Sequence, residues 1–465
     1  MAEDPGSCSG IEKSIDKMER ENFGSRIGML MAMAGSAVGL GNIWRFPYLA
    51  GTDGGAAFIV IYIIFVLFLS LPIMFSEFII GRRSKTNAFR AYAELAPGSK
   101  WKLGGIVALI CPTMILSYYD VVGGWSFEYL LKACTFSFAP SMDKEALKGM
   151  FGSFISSDWL PIAAMGAFLF MTAAVVFFGI KNGIEKFGKI MMPVLFFVIV
   201  GIAIWAMTLP GAGQGVSFMF KPDFSKVNMG VCLDAMGQAF FSLSLGAGSM
   251  MTYASYADKN VNIFRSSVQI AFMDMLFAII AGCAILPATF SYGLSPSQGP
   301  GLVFETLPLV FSEMPAGSVV AIFFFAAILV AAVTSSVSQY EVVVAYLVEE
   351  RSWSRAKAVI VLFFFMFLTG SLCSMSFGSL SGVKIFGKTL FDLFDYTSAN
   401  ILMPLGGLIA CLFVGWKMKK PDVFDEFTNS GTLATGKKIY PFVYCLIRYV
   451  APIGIILIAL SGIIL

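Results

Sequence analysis

Histidine is absent from this 465-residue chain, and charged side chains are scarce. Lys, Arg, Asp and Glu together make up 13% of the residues, whereas 57% are hydrophobic. Without an imidazole, the chain has no histidine metal ligand, general base or proton relay. The eight cysteines include no CxxC pair, which favours small core residues over a disulfide framework or a zinc site. These absences argue against an enzyme.

The hydrophobic content instead indicates a helical membrane protein. Mean hydropathy is +0.80, and no hydrophilic block of domain size interrupts the apolar stretches, so one large bundle is expected. The net charge of +3 is small, and no basic patch with interleaved aromatics indicates a nucleic-acid partner. The expected partners are therefore the lipid bilayer and small solutes.

Eleven apolar stretches are long enough to cross a bilayer, which takes about 20 residues. These stretches, named span 1 to span 11, are predicted at 25–50, 54–80, 103–134, 159–179, 187–209, 230–256, 264–291, 316–350, 355–373, 386–416 and 440–464. Lys and Arg are enriched in the segments that share a side with the N-terminus. This bias predicts a multi-pass protein of the plasma (inner) membrane with a cytoplasmic N-terminus and an outside C-terminus.

Two spans contain sequences that weaken a membrane helix. Span 1 carries GSAVGLGNIWRFP at 35–47. There each glycine costs about 1 kcal/mol of helix stability, and an arginine at the membrane centre costs about 2.5–3.5 kcal/mol. Span 6 carries AFFSLSLGAGS at 239–249. Broken helices are tolerated where their freed carbonyls and amides face protein, ions or water, so both breaks predict an intramembrane binding site.

The two breaks lie five spans apart, which predicts two five-helix halves. Because each half has an odd number of spans, the second half is inverted in the membrane, an arrangement typical of transporters with a midplane site. The predicted organisation is a polar cytoplasmic tail over 1–24, a first repeat over 25–209, an inverted second repeat over 210–416, and a cytoplasmic loop with span 11 over 417–465.

Six motifs in a fixed order show which family the chain resembles. They are GSAVGLGNIWRFPY at 35–48, GGAAF at 54–58, EKFGKIMMP at 185–193, GQAFFSLSLGAG at 237–248, GPGLVFETLP at 299–308 and AAVTSS at 331–336. Together they resemble the neurotransmitter:sodium symporters, in particular the eleven-span bacterial amino acid transporters related to the bacterial leucine transporter. The resemblance implies an all-α integral membrane fold, an inverted 5+5 repeat with broken helices 1 and 6, and about 11 transmembrane helices.

The function implied by the resemblance is sodium-coupled import of an amino acid by alternating access. A zwitterion with a medium or large, hydrophobic or aromatic side chain is one candidate substrate. A non-transporting amino acid sensor of the same fold is the alternative. A monomer is expected to suffice for function, and an oligomer stays open.

Two sodium sites follow from the resemblance. The first would use Ala37, Asn42, Ser242 and Asp274, and the second would use Gly35, Val38, Ala331, Thr334 and Ser335. Taken as residues alone, Thr334 and Ser335 could equally bond to carbonyls of their own helix. Asp274 lies in an apolar span, where a carboxylate is functional by default, although a structural acid stays possible.

Chloride is not expected to be required. Chloride-dependent relatives carry a neutral asparagine near the position of Asp274, whereas Tyr62, Gln238 and Ser242 of the chloride site are retained here. The hypothesis is that Asp274 supplies the negative charge that chloride supplies elsewhere.

The resemblance also assigns the substrate pocket. Amides of Leu40 and Gly41 with the Tyr119 hydroxyl would hold a carboxylate, and carbonyls near the two breaks would hold the ammonium group. The full set of substrate-binding residues is Ala37, Leu40, Gly41, Ile115, Tyr119, Val122, Phe241, Ser242, Ser244, Ala247, Ser335 and Gln339. Gln339 would hydrogen-bond either a polar group of the substrate or protein and water.

Two gates are implied. Arg45 and Asp395 would form the outer ion pair, above an aromatic lid of Tyr119 and Phe241. Arg20 and Glu349 would pair on the inner side, with Phe23 packed beside them. Asp120, next to Tyr119, has no role in this scheme.

Overall fold

The computed structural model describes residues 21–138, 144–293, 302–314 and 316–464. Within these ranges the chain is helical and contains no β-strand, and the predicted all-α fold class is confirmed. Nine helices there are long and apolar enough to cross a membrane. They are span 2 (Ala56–Ser84), span 3 (Lys102–Cys134), span 4 (Leu160–Phe177), span 5 (Ile180–Met207), span 7 (Ile263–Ser291), span 8 (Gly317–Arg351), span 9 (Arg355–Phe377), span 10 (Leu390–Lys417) and span 11 (Ala434–Leu457).

The two remaining predicted spans are the broken ones. Span 1 consists of Arg26–Ala37 and Gly41–Thr52, which meet at an angle of 47°. Span 6 consists of Met229–Ser242 and Ser249–Ser255. Both breaks therefore fall inside the glycine-rich sequences that predict them, and each divides its span into two half-helices.

Polar side chains at the helix starts explain several of the boundaries. Ser25 accepts a hydrogen bond from the amide of Gly28 at the start of span 1. Asn228, Asn262 and Ser354 cap spans 6, 7 and 9 in the same way. Such caps satisfy amides that have no partner within the helix, so they fix where each span begins.

Short helices connect the spans. They are Ala88–Leu95, Lys144–Ile155, Ala212–Phe220, Leu307–Glu313 and Lys420–Thr428. Large apolar side chains such as Phe170, Phe197 and Phe364 remain exposed on the spans, by 65%, 71% and 65%. An exposed belt of this kind is expected of a bundle whose solvent is lipid.

Candidate functional site

The break in span 1 frees backbone amides in the interior of the bundle. The first half-helix ends at Ala37, and Val38 has an extended conformation. The next half begins with a wide, π-helical turn at Gly41–Arg45. The Leu40 amide, which has no helical partner, donates to the Tyr119 hydroxyl of span 3 at 3.3 Å. A backbone amide and a phenol, each of which can donate a hydrogen bond to a ligand, thus lie side by side where the half-helix begins.

The break in span 6 depends on left-handed backbone conformations. Ser244, Gly246 and Gly248 have φ angles of 51°, 78° and 75°. A Cβ on Gly246 would lie 2.0 Å from the carbonyl oxygen of Met403 in span 10, so only glycine fits there. Ser244 adopts the strained conformation while its hydroxyl donates to the Ser36 carbonyl at 2.8 Å.

A cavity of about 360 Å3, including the part open to solvent, lies between the two breaks. Its lining residues are Ala37, Gly39, Gly41, Ile115, Tyr119, Phe241, Ser244, Ser335, Gln339 and Met403. All except Gly39 and Met403 belong to the substrate-binding set predicted from the sequence.

Four predicted substrate residues do not line the cavity. Leu40 offers its amide only, and the Ser242 hydroxyl is turned toward Asp274. Val122 and Ala247 are buried, with 1% and 0% exposure. Val122 lies about one helical turn from Tyr119, on the side away from Ile115, which moves it out of the pocket.

Two lining residues were not in the predicted set. A Cβ on Gly39 would lie 2.2 Å from the Ser335 hydroxyl oxygen, so the glycine makes room for span 8. Its place in the glycine-rich break was a signal for that role. Met403 had none, since it is one of 26 methionines in the chain.

Asp274 is the centre of a buried polar cluster. Its carboxylate accepts hydrogen bonds from the Asn42 amide at 2.7 Å, the Ser242 hydroxyl at 2.7 Å and the Tyr62 hydroxyl at 3.2 Å. Its side chain is fully buried. Gln238 lies beside the cluster and donates to the Gly41 carbonyl at 2.8 Å. Three of the four residues predicted for the first sodium site therefore meet here.

A second cluster of uncharged oxygens joins span 8 to span 1. The Ser335 hydroxyl donates to the Ser36 carbonyl at 3.1 Å and to the Gly35 carbonyl at 3.4 Å. The Thr334 hydroxyl donates to the Ala331 carbonyl of its own helix at 2.9 Å. Hard cations prefer such oxygen ligands. Gly35, Ala331, Thr334 and Ser335 of the predicted second site are thus close together, while the Val38 amide continues the helix to Ala34.

The predicted outer ion pair is not formed. Among the described ion pairs, none joins Arg45 to Asp395 within 4.0 Å. Asp395 is exposed, and the Arg45 guanidinium instead lies 5.1 Å from the centre of the Phe241 ring. The two charged side chains stand on different spans, span 1 and span 10, and do not touch in this structure.

The residues predicted for the inner gate that the structure describes make other contacts. Phe23 packs against Tyr253 and Tyr256, with ring centres 5.9 and 6.3 Å apart. Glu349 accepts hydrogen bonds from the amide and side chain of Asn87 at 2.8 and 3.0 Å. The predicted partner Arg20 lies outside the described residues.

A buried ion pair that sequence reasoning missed lies beside Tyr256. Glu341 of span 8 is fully buried and pairs with Arg355 at the start of span 9. The Tyr256 hydroxyl donates to the same carboxylate at 2.8 Å. The pair therefore ties span 8 to the second half of span 6.

Asp120 finds one partner only. Its carboxylate accepts a hydrogen bond from Ser336 of span 8 at 2.9 Å, and its second oxygen is buried without a partner in the described part of the chain. The acid thus links the two walls that carry Tyr119 and Ser335.

Comparisons with known proteins agree with this geometry. The model of the sodium:neurotransmitter symporter family matches residues 20–145 and 159–465. A sodium-dependent transporter of Bacillus subtilis, YhdH, is 40% identical over 94% of this chain and 97% of its own length. The taurine transporter of dog, described as sodium- and chloride-dependent, is 26% identical over 90% of this chain and 75% of its own.

A solved structure is similar over nearly the whole chain. The crystal structure of MhsT in complex with L-phenylalanine has a TM-score of 0.88 and 42% sequence identity, and it covers 95% of this chain and 99% of its own. The family model covers well over half of the sequence, and the curated relatives are transporters. The chain therefore belongs to the sodium:neurotransmitter symporter family and is a sodium-dependent transporter.

Proposed function

We propose that this chain is a sodium-coupled symporter that imports a zwitterionic amino acid by alternating access. The observation that carries the proposal is the cavity between two broken spans, flanked by the Asp274 cluster and the Ser335 hydroxyl cluster. The amino acid bound to MhsT supports the same substrate class. Transport, and not catalysis of a reaction, is the proposed activity.

The substrate carboxylate is proposed to bind at the start of the second half of span 1. The Leu40 amide and the Tyr119 hydroxyl already lie within 3.3 Å of each other, so one carboxylate could accept from both. The helix N-terminus adds a favourable positive dipole end. Carbonyls of Ala37, Phe241 and Ser244 would accept from the ammonium group on the opposite side.

Two sodium ions are proposed as co-substrates. One would bind at Ala37, Asn42, Ser242 and Asp274, and the other at Gly35, Val38, Ala331, Thr334 and Ser335. With a tenfold gradient and 100 mV, each ion supplies about 1.4 plus 2.3 kcal/mol, or about 7 kcal/mol for two. This energy would support roughly five decades of amino acid accumulation at full coupling.

Chloride is proposed to be unnecessary. The Tyr62 and Ser242 hydroxyls both donate to the Asp274 carboxylate, at 3.2 and 2.7 Å. A fixed negative charge thus occupies the donors that an anion would need. The taurine transporter of dog, whose name states chloride dependence, is the more distant relative.

The gates are proposed to work in alternation. Exposure of Asp395 and the packing of Phe23 against Tyr253 support a form that is more open outside than inside. Approach of Arg45 to Asp395 would then close the outer side. The protein is proposed to lie in the plasma (inner) membrane with a cytoplasmic N-terminus and an outside C-terminus, and to function as a monomer.

Uptake into proteoliposomes tests the proposal. Radiolabelled amino acids are supplied with an inward sodium gradient, and potassium replaces sodium in the control. Accumulation that requires sodium is expected for one or a few amino acids. Saturable binding without any accumulation would favour a sensor of the same fold, and neither binding nor uptake would refute an amino acid substrate.

A further inference from the structure

Arg448 is a cation in span 11 that has no anionic partner in the described part of the chain. No described hydrogen bond is donated by its guanidinium, and no described ion pair includes it. Its Nε is enclosed, whereas the side chain as a whole is partly exposed, so the two terminal nitrogens reach the surface. Charged side chains in membrane spans usually have a partner, so Arg448 points to one outside the chain.

Three aromatic rings hold the Arg448 guanidinium in place. Its Cζ lies 4.3 Å from the ring centre of Trp416, 5.5 Å from that of Tyr449 and 5.9 Å from that of Tyr444. Cation–π contacts of this length are attractive, but they leave the charge unneutralised and the N–H donors unused. Trp416 and Tyr449 are 55% and 45% exposed, so the guanidinium lies at the outer surface of the bundle.

The backbones of spans 10 and 11 fix this arrangement. A Cβ on Gly415 would lie 2.9 Å from the Arg448 Cα, so the two helices touch there. The Trp416 indole N–H donates to the Arg448 carbonyl at 3.0 Å, and the Tyr444 hydroxyl donates to the Gly415 carbonyl at 3.0 Å. The guanidinium is therefore presented by two packed helices, and little freedom is lost when a ligand binds to it.

More positive charge collects at this end of span 10. The Lys420 ammonium lies 5.6 Å from the centre of the Tyr444 ring, which it shares with Arg448. Lys417 and Lys419 precede it in the sequence, and all three lysines are exposed and take part in no described ion pair. We call the three lysines and Arg448 the basic cluster. Like charges that lie close together repel, so an anion bound beside them is favoured.

The acidic residues of the helix Lys420–Thr428 do not supply that anion. Asp422 and Glu426 pair with arginines at the end of span 2, at 2.8 and 2.7 Å. Asp425, the remaining acid of that helix, takes part in no described ion pair. The basic cluster therefore keeps its positive charge in the folded chain.

We propose that the Arg448 guanidinium binds the phosphate of an anionic phospholipid where spans 10 and 11 meet at the surface of the bundle. The guanidinium fork matches two oxygens of a phosphate, which a single ammonium does not. The basic cluster favours a headgroup with net negative charge over a zwitterionic one, since each basic residue near a membrane surface contributes about fivefold in affinity. Exposed Trp416 and Tyr449 are ring types found at headgroup level, so the phosphate comes from lipid and not from solution.

The test measures lipid binding to the full chain, purified in detergent, by native mass spectrometry. Phosphatidylglycerol and phosphatidylcholine with identical acyl chains are titrated in turn, because both carry the phosphate and only the first has a net charge. The first phosphatidylglycerol is expected to bind at least about fivefold more tightly than the first phosphatidylcholine. Inorganic phosphate is added in a separate arm, and it is expected not to displace the lipid.

Three variants assign the preference to its cause. Arg448→Gln removes the charge and the fork, and it is expected to weaken phosphatidylglycerol binding by about fivefold or more. Arg448→Lys keeps the charge alone and should retain part of the affinity. The matched control is Arg265→Gln, which removes an exposed cation at the start of span 7 and should bind lipid as wild type does.

Equal affinity for the two lipids would overturn the proposal, and so would equal losses in Arg448→Gln and Arg265→Gln. Displacement of the lipid by inorganic phosphate would show a site for free phosphate and would overturn it as well. If Arg448→Gln does not fold, Lys420→Gln decides, because this lysine is exposed on a short connecting helix. A smaller preference for phosphatidylglycerol in that variant supports the proposal, and an unchanged preference refutes it.

Discussion

Because Asp274 is proposed to supply the charge that chloride supplies elsewhere, replacing it with asparagine should make sodium-driven uptake respond to chloride. The carboxylate is fully buried and accepts from Asn42, Ser242 and Tyr62 within 3.2 Å. Asparagine fills the same volume and keeps an acceptor oxygen, but it removes the charge. The hydroxyls of Tyr62 and Ser242 then face a neutral group and become free to bind an anion.

The size of the effect follows from the separation of the charges. The proposed sodium ion has the Asp274 carboxylate among its ligands, and two charges even about 5 Å apart interact by about 3 kcal/mol at an effective dielectric constant of 20, which makes this value a lower bound. Loss of that attraction weakens sodium binding by about a hundredfold. Chloride at the vacated donors should restore part of it.

The assay is sodium-driven uptake at a series of sodium concentrations, with either chloride or gluconate as the anion. Asp120→Asn is the matched control, since Asp120 is also buried but bonds to Ser336, outside the proposed sodium ligands. Wild type and the control should be indifferent to chloride, and Asp274→Asn should recover with it. Chloride dependence in wild type, or a folded Asp274→Asn protein that chloride does not rescue, would refute the reasoning.

Three further predictions concern stability. Gly246→Ala places a side chain at an unfavourable positive φ and a Cβ 2.0 Å from the Met403 carbonyl oxygen. The free energy of unfolding, measured by thermal unfolding, should therefore fall by more than ~1 kcal/mol. A Tm equal to that of wild type would contradict the close approach to Met403. Glu341→Gln leaves Arg355 without its counter-charge and should lower the free energy of unfolding by roughly 2 kcal/mol. This value lies below the range for fully buried pairs because the Arg355 side chain is 22% exposed. Truncating both partners should lower the free energy of unfolding by less, because no unpaired charge remains. Burial, with a nearby carboxylate, raises the pKa of half-buried Asp53 to about 6, so the folded state holds its proton more tightly. Stability should therefore fall by about 1 kcal/mol as pH rises from 4 to 6, after discounting for solvent, and Asp53→Asn should remove that slope in denaturation measured at each pH.

The residues alone were sufficient to place the two breaks and to single out Asp274, whereas its partners Asn42, Ser242 and Tyr62 were assigned through the family resemblance. A glycine, asparagine or aspartate in an apolar stretch stands out because the membrane makes each one costly. Each signal is local, so it could be read without knowing what the residue touches.

The rest depends on contacts between distant parts of the chain. Met403 reaches the cavity because the break in span 6 packs against its backbone. The Glu341–Arg355 pair forms only because span 9 folds back against span 8. Arg45 and Asp395 are not in direct contact in this structure, and their pairing as an outer gate stays a prediction, because an ion pair between gate residues belongs to one conformation of the protein and a sequence specifies several. Arg20 lies outside the described residues, so its pairing with Glu349 stays a prediction.

The contact between Gly246 and span 10 has a mechanical consequence. A Cβ on Gly406 would also lie 2.1 Å from the Gly246 carbonyl oxygen, so the two backbones touch from both sides with no side chain between them. Such a contact cannot be compressed, and opening it would expose backbone groups inside the bundle. The contact therefore holds the break in span 6 against span 10. A larger substrate must therefore be accommodated by side chains that line the cavity, such as Ile115 of span 3 and Phe241 of span 6, because these can move without opening the backbone contact.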